Sequence, residues 1–441
     1  MLRRAAPVST LSRIAFALLS TLFLALMVWA VYSYVTRDHP GANDFFQRWY
    51  GTRAFWLEGR DPYSREVALE VENKLYGHLA STDPALDEYP GDFLYPFPTA
   101  VLLAPLTLGS HDVDAAYAWA SAIWIVLTWA FVAAAFIAMV DLFSWRPPGW
   151  LIAVGIAWTA TFYPATRGMF LGQTGVVAAC LELLAIWALA KAAQTTPRFE
   201  VLAGVFLTLS TFKPQIGLLI VPFLLLWGVR FRRWYFLAGV AITGAILYGV
   251  SFLLLPSWLS EWLAQSTRYT GYTQTGSPVS IITNAIGVGH MGELIVSGLL
   301  LIPVLWAWYR VLWVGERAAL VWTAALSLTV THLILVRTAT PHYVVFLIVI
   351  VFALREITRR RNGTLLAMLT LVVLTVGLWA LFLLTLQNRF ESPWNYLPLP
   401  IGSLLVLALT RPAWLTGSLI PTSTVHDRIS QPTVTASQPS A

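Results

Sequence analysis

Residues 14–35 read I-A-F-A-L-L-S-T-L-F-L-A-L-M-V-W-A-V-Y-S-Y-V, an apolar run that follows Arg3, Arg4 and Arg13. At about 1.5 Å per residue, its roughly 22 residues are long enough to cross the bilayer as one helix. The run is too long for the apolar part of a secretory signal, which has about 7–15 residues. We therefore expect it to be a retained first transmembrane helix.

The rest of the chain has the same apolar character. Of its 441 residues, 57% are hydrophobic and only 11% are charged, and the mean hydropathy is +0.67. Soluble domains carry about 25% charged residues. The runs are continuous, without the alternation typical of a membrane β-barrel. The sequence thus predicts an all-α polytopic membrane protein, with further apolar runs at roughly 93–108, 115–140, 150–163, 174–194, 199–211, 214–229, 234–255, 292–311, 318–336, 342–355, 364–386 and 396–411.

Arginine-rich loops predict the orientation. Placing the loops at 230–233 and 355–361 in the cytoplasm puts both termini there and requires an even number of crossings. The run at 93–108 contains three prolines, which disfavour one straight helix, so we expect it to be juxtamembrane or re-entrant. The prediction is a bundle of about twelve transmembrane helices, and the alternative is thirteen, with 93–108 crossing.

The same topology predicts the domain organisation. Residues 1–415 form one transmembrane domain, with a long first external loop at about 36–114 and a second at about 256–291. Residues 416–441 are rich in Ser, Thr and Pro and are expected to be a disordered cytoplasmic tail. No internal repeat is evident, which argues against a transporter built from inverted repeats.

Polar residues from five separate segments map to the external end of this bundle: Asp44, Gln173, Lys213, Arg337 and His342. Such convergence at one end of an apolar bundle is typical of a site at the membrane boundary. Each residue also has a structural alternative. Lys213 and Arg337 can extend from helix ends to the membrane interface. Gln173 can join helices by hydrogen bonds. His342 can be a residue at the start of a helix whose side chain is already hydrogen-bonded.

Asp44 lies near the start of the first external loop, just outside the first transmembrane segment, in the stretch N-D-F-F-Q-R-W-Y-G-T-R-A-F-W-L-E-G-R-D-P-Y at 43–63. A carboxylate there can act on a polar group carried by a lipid. The alternative for Arg48, Arg53 and Arg60 is a solvated or headgroup-facing stripe.

Two further features leave alternatives open. Tyr95, Trp49 and Trp56 can stack on a sugar or belong to the aromatic belt at the headgroups. Glu182 lies within an apolar run, where an ionisable group is costly. It is either protonated and bonded to a neighbouring helix or lines a cavity.

Several kinds of partner are not expected. The sequence has no nucleic-acid motif, no P-loop, no dinucleotide fingerprint and no pattern of metal ligands. We expect neither a metal nor a cofactor. The single cysteine, Cys180, lies in an apolar run and reads as a small buried residue.

In order along the chain, a set of short motifs resembles glycosyltransferase family 87, polytopic enzymes of the GT-C superfamily. The motifs are Asn43-Asp44-Phe45-Phe46-Gln47-Arg48-Trp49-Tyr50, Glu58-Gly59-Arg60-Asp61-Pro62-Tyr63, Tyr95-Pro96-Phe97-Pro98, Ala104-Pro105-Leu106, Leu171-Gly172-Gln173, Lys213-Pro214-Gln215 and Pro341-His342-Tyr343. The family usually has a second proline directly after the Tyr-Pro pair, where this chain has Phe97.

The resemblance implies an α-mannosyltransferase that uses a polyprenyl-phosphate sugar as donor, in bacterial glycolipid synthesis of the cell envelope. It implies that Asp44 is the catalytic base and that His342 has a functional role. We expect Lys213, Arg337, Gln173, Arg48 and Tyr95 to bind the donor phosphate or substrate. The acceptor would be lipid-linked or a glycan, and the reaction would occur on the external face of the cytoplasmic membrane. The alternatives are a transporter or flippase of a lipid-linked sugar, and a non-enzymatic scaffold.

Overall fold

A computed structural model describes residues 10–81, 83, 86, 88–192, 196–272, 276–314, 317–335, 338–386, 391–412 and 415. These residues form helices joined by turns, and none of them lies in a strand. The all-α prediction is confirmed. The helices are α1 (Thr10–Val31), α2 (Asn43–Glu58), α3 (Arg65–Tyr76), α4 (Pro98–Leu103), α5 (Val113–Leu142), α6 (Gly149–Thr159), α7 (Tyr163–Leu171), α8 (Gly175–Ala192), α9 (Pro197–Ser210), α10 (Ile220–Arg230), α11 (Trp234–Leu254), α12 (Trp258–Tyr272), α13 (Pro278–Ala285), α14 (Gly289–Val314), α15 (Arg317–Ile334), α16 (Leu347–Thr358), α17 (Gly363–Thr385) and α18 (Pro398–Leu409).

Seven helical segments in the described part are long and apolar enough to cross a membrane: Ala17–Thr36, Val113–Leu142, Gly175–Ala192, Trp234–Leu254, Gly289–Trp313, Thr340–Thr358 and Gly363–Thr385. Shorter apolar helices accompany them. The protein is therefore a polytopic helical membrane protein, as predicted. The number of crossings, twelve or thirteen, stays a prediction.

Helix α8 forms the centre of the bundle. Nearly all of its side chains are buried, and it packs against α5 and α9. Its sequence, G-V-V-A-A-C-L-E-L-L-A-I-W-A-L-A-K-A, is rich in Ala. In the bilayer the hydrophobic effect does not drive helices together, because lipid tails are as apolar as the side chains. Small side chains instead allow close packing of neighbouring backbones. The N-terminal end of this central helix, at Gly175, lies beside His342 and Lys213, two of the predicted site residues.

The run at 93–108 is too short, as a helix, to cross the bilayer. It forms α4 and a 3₁₀ turn, Ala104–Thr107, which together extend about 15 Å, half of the hydrocarbon thickness. Both pieces pack against α2. Whether this segment is juxtamembrane or re-entrant, or crosses as a thirteenth span, stays a prediction.

The two predicted external loops are largely helical and contact each other. The first contains α2 and α3, and the second contains α12 and α13. The indole of Trp262 donates to the carbonyl of Leu94 at 3.3 Å, and the amide of Gln265 donates to the carbonyl of Tyr63 at 3.0 Å. Both loops therefore lie at the same end of the bundle. The predicted tail, 416–441, lies outside the described residues.

Candidate functional site

The segment before α2 is held by its backbone. The hydroxyl of Tyr117, near the start of α5, shares its proton between the carbonyls of Gly41 and Ala42 at 2.8 and 2.7 Å. One turn further along α5, Ser121 donates to the carbonyl of Pro40 at 2.7 Å. The Pro40 and Gly41 carbonyls precede α2 and find their hydrogen-bond donors here, whereas the Ala42 carbonyl also accepts from the amides of Phe45 and Phe46. These bonds fix the position at which α2 begins. They therefore also fix the position of Asp44, which lies on the first turn of α2.

A close approach between α7 and α2 places Gln173 beside Asp44. Gly172 ends α7 in a left-handed conformation with φ of +69°. A Cβ on Gly172 would lie 2.5 Å from the Cβ of Phe45 and 2.8 Å from the Cβ of Ala42. The Ala42 amide also donates to the carbonyl of Phe170 at 3.1 Å. Glycine is therefore required here both for its backbone conformation and for its lack of a side chain.

Asp44, Gln173 and Lys213 form one hydrogen-bonded chain. The Gln173 side-chain nitrogen donates to Oδ2 of Asp44, and its Oε1 accepts from Nζ of Lys213 at 3.0 Å. An amide has one donor end and one acceptor end, so these two partners fix its orientation. The Oδ1 atom of Asp44 accepts no hydrogen bond from the described residues. One carboxylate oxygen thus keeps its lone pairs for another group.

Positive charge surrounds Tyr95 at this site. The guanidinium carbon of Arg48 lies 4.6 Å, and Nζ of Lys213 5.3 Å, from the centroid of the Tyr95 ring. Arg48 also donates to the backbone carbonyl of Asp44 and, at 3.0 Å, to Oε1 of Gln47. Burial opposes ionisation of the phenol, but Lys213 and Arg48 together outweigh it and lower the pKa of Tyr95. The site therefore has an electrostatic field that favours anions.

His342 completes the cluster from the opposite side. It lies in the 3₁₀ helix Thr340–Phe346 and is 1% exposed. Its Nδ1 accepts from the Ala339 amide at 3.2 Å, which places the proton of a neutral ring on Nε2. Nε2 is buried and has no hydrogen-bond partner among the described residues. His342 therefore offers a donor, and not a base, to whatever occupies the site.

Gly175 provides the space between His342 and Lys213. A Cβ at Gly175 would lie 2.5 Å from Nε2 of His342 and 3.0 Å from Nζ of Lys213. Both nitrogen atoms thus lie around one point at the start of α8. The sequence alone does not indicate a role for this glycine, because a lone glycine at the start of a helix gives no signal.

Several alternatives from the sequence are wrong. Arg48 and Arg53 are only 7% and 5% exposed, so they do not form a solvated stripe. Arg53 instead donates to the carbonyls of the segment after α4.

Tyr95 and Trp49 are buried and do not belong to a headgroup belt, whereas Trp56 is 39% exposed. Lys213 is 5% exposed and hydrogen-bonded inside the bundle, so it does not extend into solvent. Arg337 lies outside the described residues.

A second carboxylate, Glu391, was also missed. Its oxygens accept from Thr340 at 2.8 Å, from Arg167 at 3.2 Å and from Tyr396 at 3.4 Å, and also bond the hydroxyl of Tyr163. Because both oxygens are already occupied, Glu391 is a structural acceptor. It ties α7 to the 3₁₀ helix that carries His342.

Glu182 lies deeper in the bundle, two turns along α8 from Gly175. Its carboxyl oxygens are buried and have no hydrogen-bond partner among the described residues. Among the described residues, Glu182 therefore makes no side-chain hydrogen bond to a neighbouring helix. Its Oε1 lies 3.2 Å from the position of a Cβ on Gly217, in the turns that follow Lys213.

A family model matches residues 93–338, more than half of the chain, and its description is glycosyltransferase family 87. The chain belongs to glycosyltransferase family 87. It is therefore a glycosyltransferase, in agreement with the resemblance. No curated protein and no solved structure matches the chain at a significant level.

The segment matched to glycosyltransferase family 87 contains part of the cluster. Tyr95, Gln173 and Lys213 lie inside it, whereas Asp44 precedes it and His342 follows it. In the fold, all five side chains lie at one end of the bundle. The family match thus covers three members of the cluster, and the fold brings the other two beside them.

Proposed function

We propose that this membrane glycosyltransferase moves a sugar from a polyprenyl-phosphate donor to a hydroxyl of a lipid-linked or glycan acceptor. The observation that carries the proposal is the hydrogen-bonded chain from Asp44 through Gln173 to Lys213. It holds a carboxylate and a buried cation at one end of an apolar bundle, a few ångströms apart. Such a pair suits a reaction in which a proton is lost at one end and an anion leaves at the other.

In the proposed reaction, the acceptor oxygen attacks the anomeric carbon while Asp44 takes the hydroxyl proton. The new bond joins the acceptor oxygen to the anomeric carbon. The bond that breaks joins this carbon to the phosphate oxygen, and its electron pair leaves with polyprenyl phosphate. A single displacement inverts the anomeric centre and needs one carboxylate, unlike the two of most glycoside hydrolases. The free Oδ1 of Asp44 is the atom proposed to take the proton.

The leaving phosphate needs positive charge and hydrogen-bond donors, and no separate acid. Lys213 and the Nε2 proton of His342 meet at the space left by Gly175, which makes them the proposed phosphate ligands. Arg48 adds charge from the other side of Tyr95. Arg337 is proposed as a further ligand on the resemblance alone.

The finer assignments rest on the family resemblance and the basic loops. We propose mannose as the sugar, a GT-C-like bundle, both termini in the cytoplasm and a site on the external face of a bacterial cytoplasmic membrane. The contact between the two external loops supports a site at their common end.

The decisive experiment uses the purified full chain with polyprenyl-phosphate-[¹⁴C]mannose and an acceptor lipid. Wild-type protein should form a labelled glycosidic product, and Asp44→Asn should slow it by about 10²–10⁴-fold, the usual contribution of a general base. The matched control is Asp38→Asn, an exposed aspartate outside the cluster. Equal rates for wild type and Asp44→Asn would refute the assignment. Movement of labelled lipid across the bilayer without a new bond would identify a transporter instead.

A further inference from the structure

A second pocket lies where α5, α15, α16 and α18 meet. It has a volume of about 400 Å³, within the range of ligand sites. Most of its lining is apolar and includes Leu142, Val321, Ala325, Phe352 and Leu407. No residue of the candidate active site lines it.

The pocket and the active site lie at opposite ends of the bundle. Tyr117, which fixes the start of α2, lies on the first turn of α5, and Leu142 is the last residue of the same helix. The 25 residues between these positions extend about 38 Å, more than the hydrocarbon thickness of about 30 Å. The pocket therefore opens at the other face of the membrane.

One arginine lines this pocket, and two others are close in sequence to lining residues. Arg355 lines it, and Arg411 stands between the lining residues Thr410 and Pro412. Arg146 follows the lining residue Ser144 by two positions and is exposed. We call Arg146, Arg355 and Arg411 the arginine rim.

The charge of the rim is only partly compensated. Glu356 binds Arg355 at 2.6 Å, but it also binds Arg359 at 3.2 Å, so one carboxylate serves two arginines. Asp141, next to Leu142, is paired with Lys191 and also interacts electrostatically with Arg146, so it too is shared between two cations. The exposed Arg360 and Arg361 follow directly on Arg359. An excess of positive charge thus lies beside an apolar cavity at the carboxyl end of α5.

We propose that this pocket binds an anionic phospholipid, with one acyl chain in the cavity and the phosphate at the arginine rim. The apolar lining matches a hydrocarbon chain, and the rim matches a negative headgroup. By the bias of basic residues, this face is the predicted cytoplasmic one, where anionic lipids attract clustered arginines. The inference does not depend on the proposed transferase reaction.

The headgroup part is tested with the purified full chain in detergent. Native mass spectrometry and thermal unfolding are measured with phosphatidylglycerol and with phosphatidylcholine of identical acyl chains. Wild type should retain phosphatidylglycerol and gain melting temperature with it, and phosphatidylcholine should do neither. Arg146→Gln with Arg411→Gln should weaken retention about fivefold for each arginine. The matched control, Arg198→Gln with Arg230→Gln, removes exposed arginines outside the rim and should bind as wild type does.

The chain part is tested by filling the cavity. Ala325→Leu should abolish retention of phosphatidylglycerol while leaving the melting temperature without added lipid close to that of wild type. If that variant does not fold, Val321→Phe enters the same cavity from the preceding turn of α15. Equal binding of the two lipids, or retention by a folded cavity-filling variant, would overturn the proposal. So would displacement of phosphatidylglycerol by polyprenyl phosphate, which would assign the pocket to the donor tail. A failed transferase assay would leave these readouts unchanged.

Discussion

Asp44 and Lys213 are joined through Gln173 and form no direct ion pair. The side-chain amide between them donates to the carboxylate and accepts from the ammonium at 3.0 Å. A direct pair would bring the cation onto the base and make proton uptake harder. The intervening amide keeps both charged groups in place and separates the carboxylate, the proposed proton acceptor, from the ammonium, the proposed phosphate ligand.

Removal of this bridge should slow the reaction. Gln173→Leu retains much of the side-chain volume but leaves the buried ammonium of Lys213 without its acceptor, at a cost of about 1–3 kcal/mol. We expect kcat/KM to fall about ten- to hundredfold in the radiolabelled assay. Gln215→Leu, at an exposed position outside the chain of hydrogen bonds, is the control and should be nearly neutral. A wild-type rate for Gln173→Leu would show that the bridge has no role in turnover.

Lys213→Ala should affect the donor more than the acceptor. A hydrogen bond to a charged group contributes about 1.5–3 kcal/mol, so the KM for the donor should rise about ten- to hundredfold. The KM for the acceptor should stay within a factor of about two. Steady-state kinetics with each substrate varied in turn measure both values. Lys74→Ala, a half-exposed lysine paired with Asp114, is the matched control. An unchanged donor KM would remove Lys213 from the phosphate site.

Gly175→Ala tests the space between His342 and Lys213. The added Cβ would lie 2.5 Å from Nε2 of His342 and 3.0 Å from Nζ of Lys213, so at least one of them must shift. Displacement of a positioned group by about 1 Å can cost about a hundredfold in rate. The control is Gly298→Ala in α14, where a Cβ would contact nothing within 4 Å. That variant should keep full activity, and similar losses in both variants would point to a general effect of helix substitution.

Glu70 should contribute a pH-dependent part of the stability. It joins α2 to α3 by accepting from Arg60 and Tyr50, each at 2.8 Å, and the bond from Arg60 lowers its pKa below the ordinary value of about 4.5. A lowered folded-state pKa contributes stability above about pH 4.5, and that stability is lost as the pH falls through the folded-state value.

Glu70→Gln should therefore lower the free energy of unfolding by no more than about 1 kcal/mol at pH 7, because the pair is partly exposed. Thermal unfolding of wild type and variant between pH 3 and 7 measures the difference. It should shrink below about pH 4.5. A difference that is constant across this range would show that the ion pair does not stabilise the loop.

The sequence predicts the class of fold and much of the cluster. Long apolar runs predict transmembrane helices. Because successive helices cross in alternate directions, the sequence also predicts that Asp44, Gln173, Lys213 and His342 lie at one end of the bundle. The burial of Arg48 could not be predicted, because α2 has a mixed polar and aromatic sequence without a clear apolar face. Its partners, such as Tyr95, come from a distant segment that the sequence does not pair with it.

The contact of Gly172 with Ala42 and Phe45 has a consequence for how the enzyme can vary. These residues act as a spacer of fixed thickness between α7 and the start of α2. Any bulkier residue at position 172 or 42 would push the two helices apart and lengthen the gap that Gln173 must bridge. The position of Asp44, the proposed base, thus depends on two of the smallest residues in the chain, neither of which has a polar side chain.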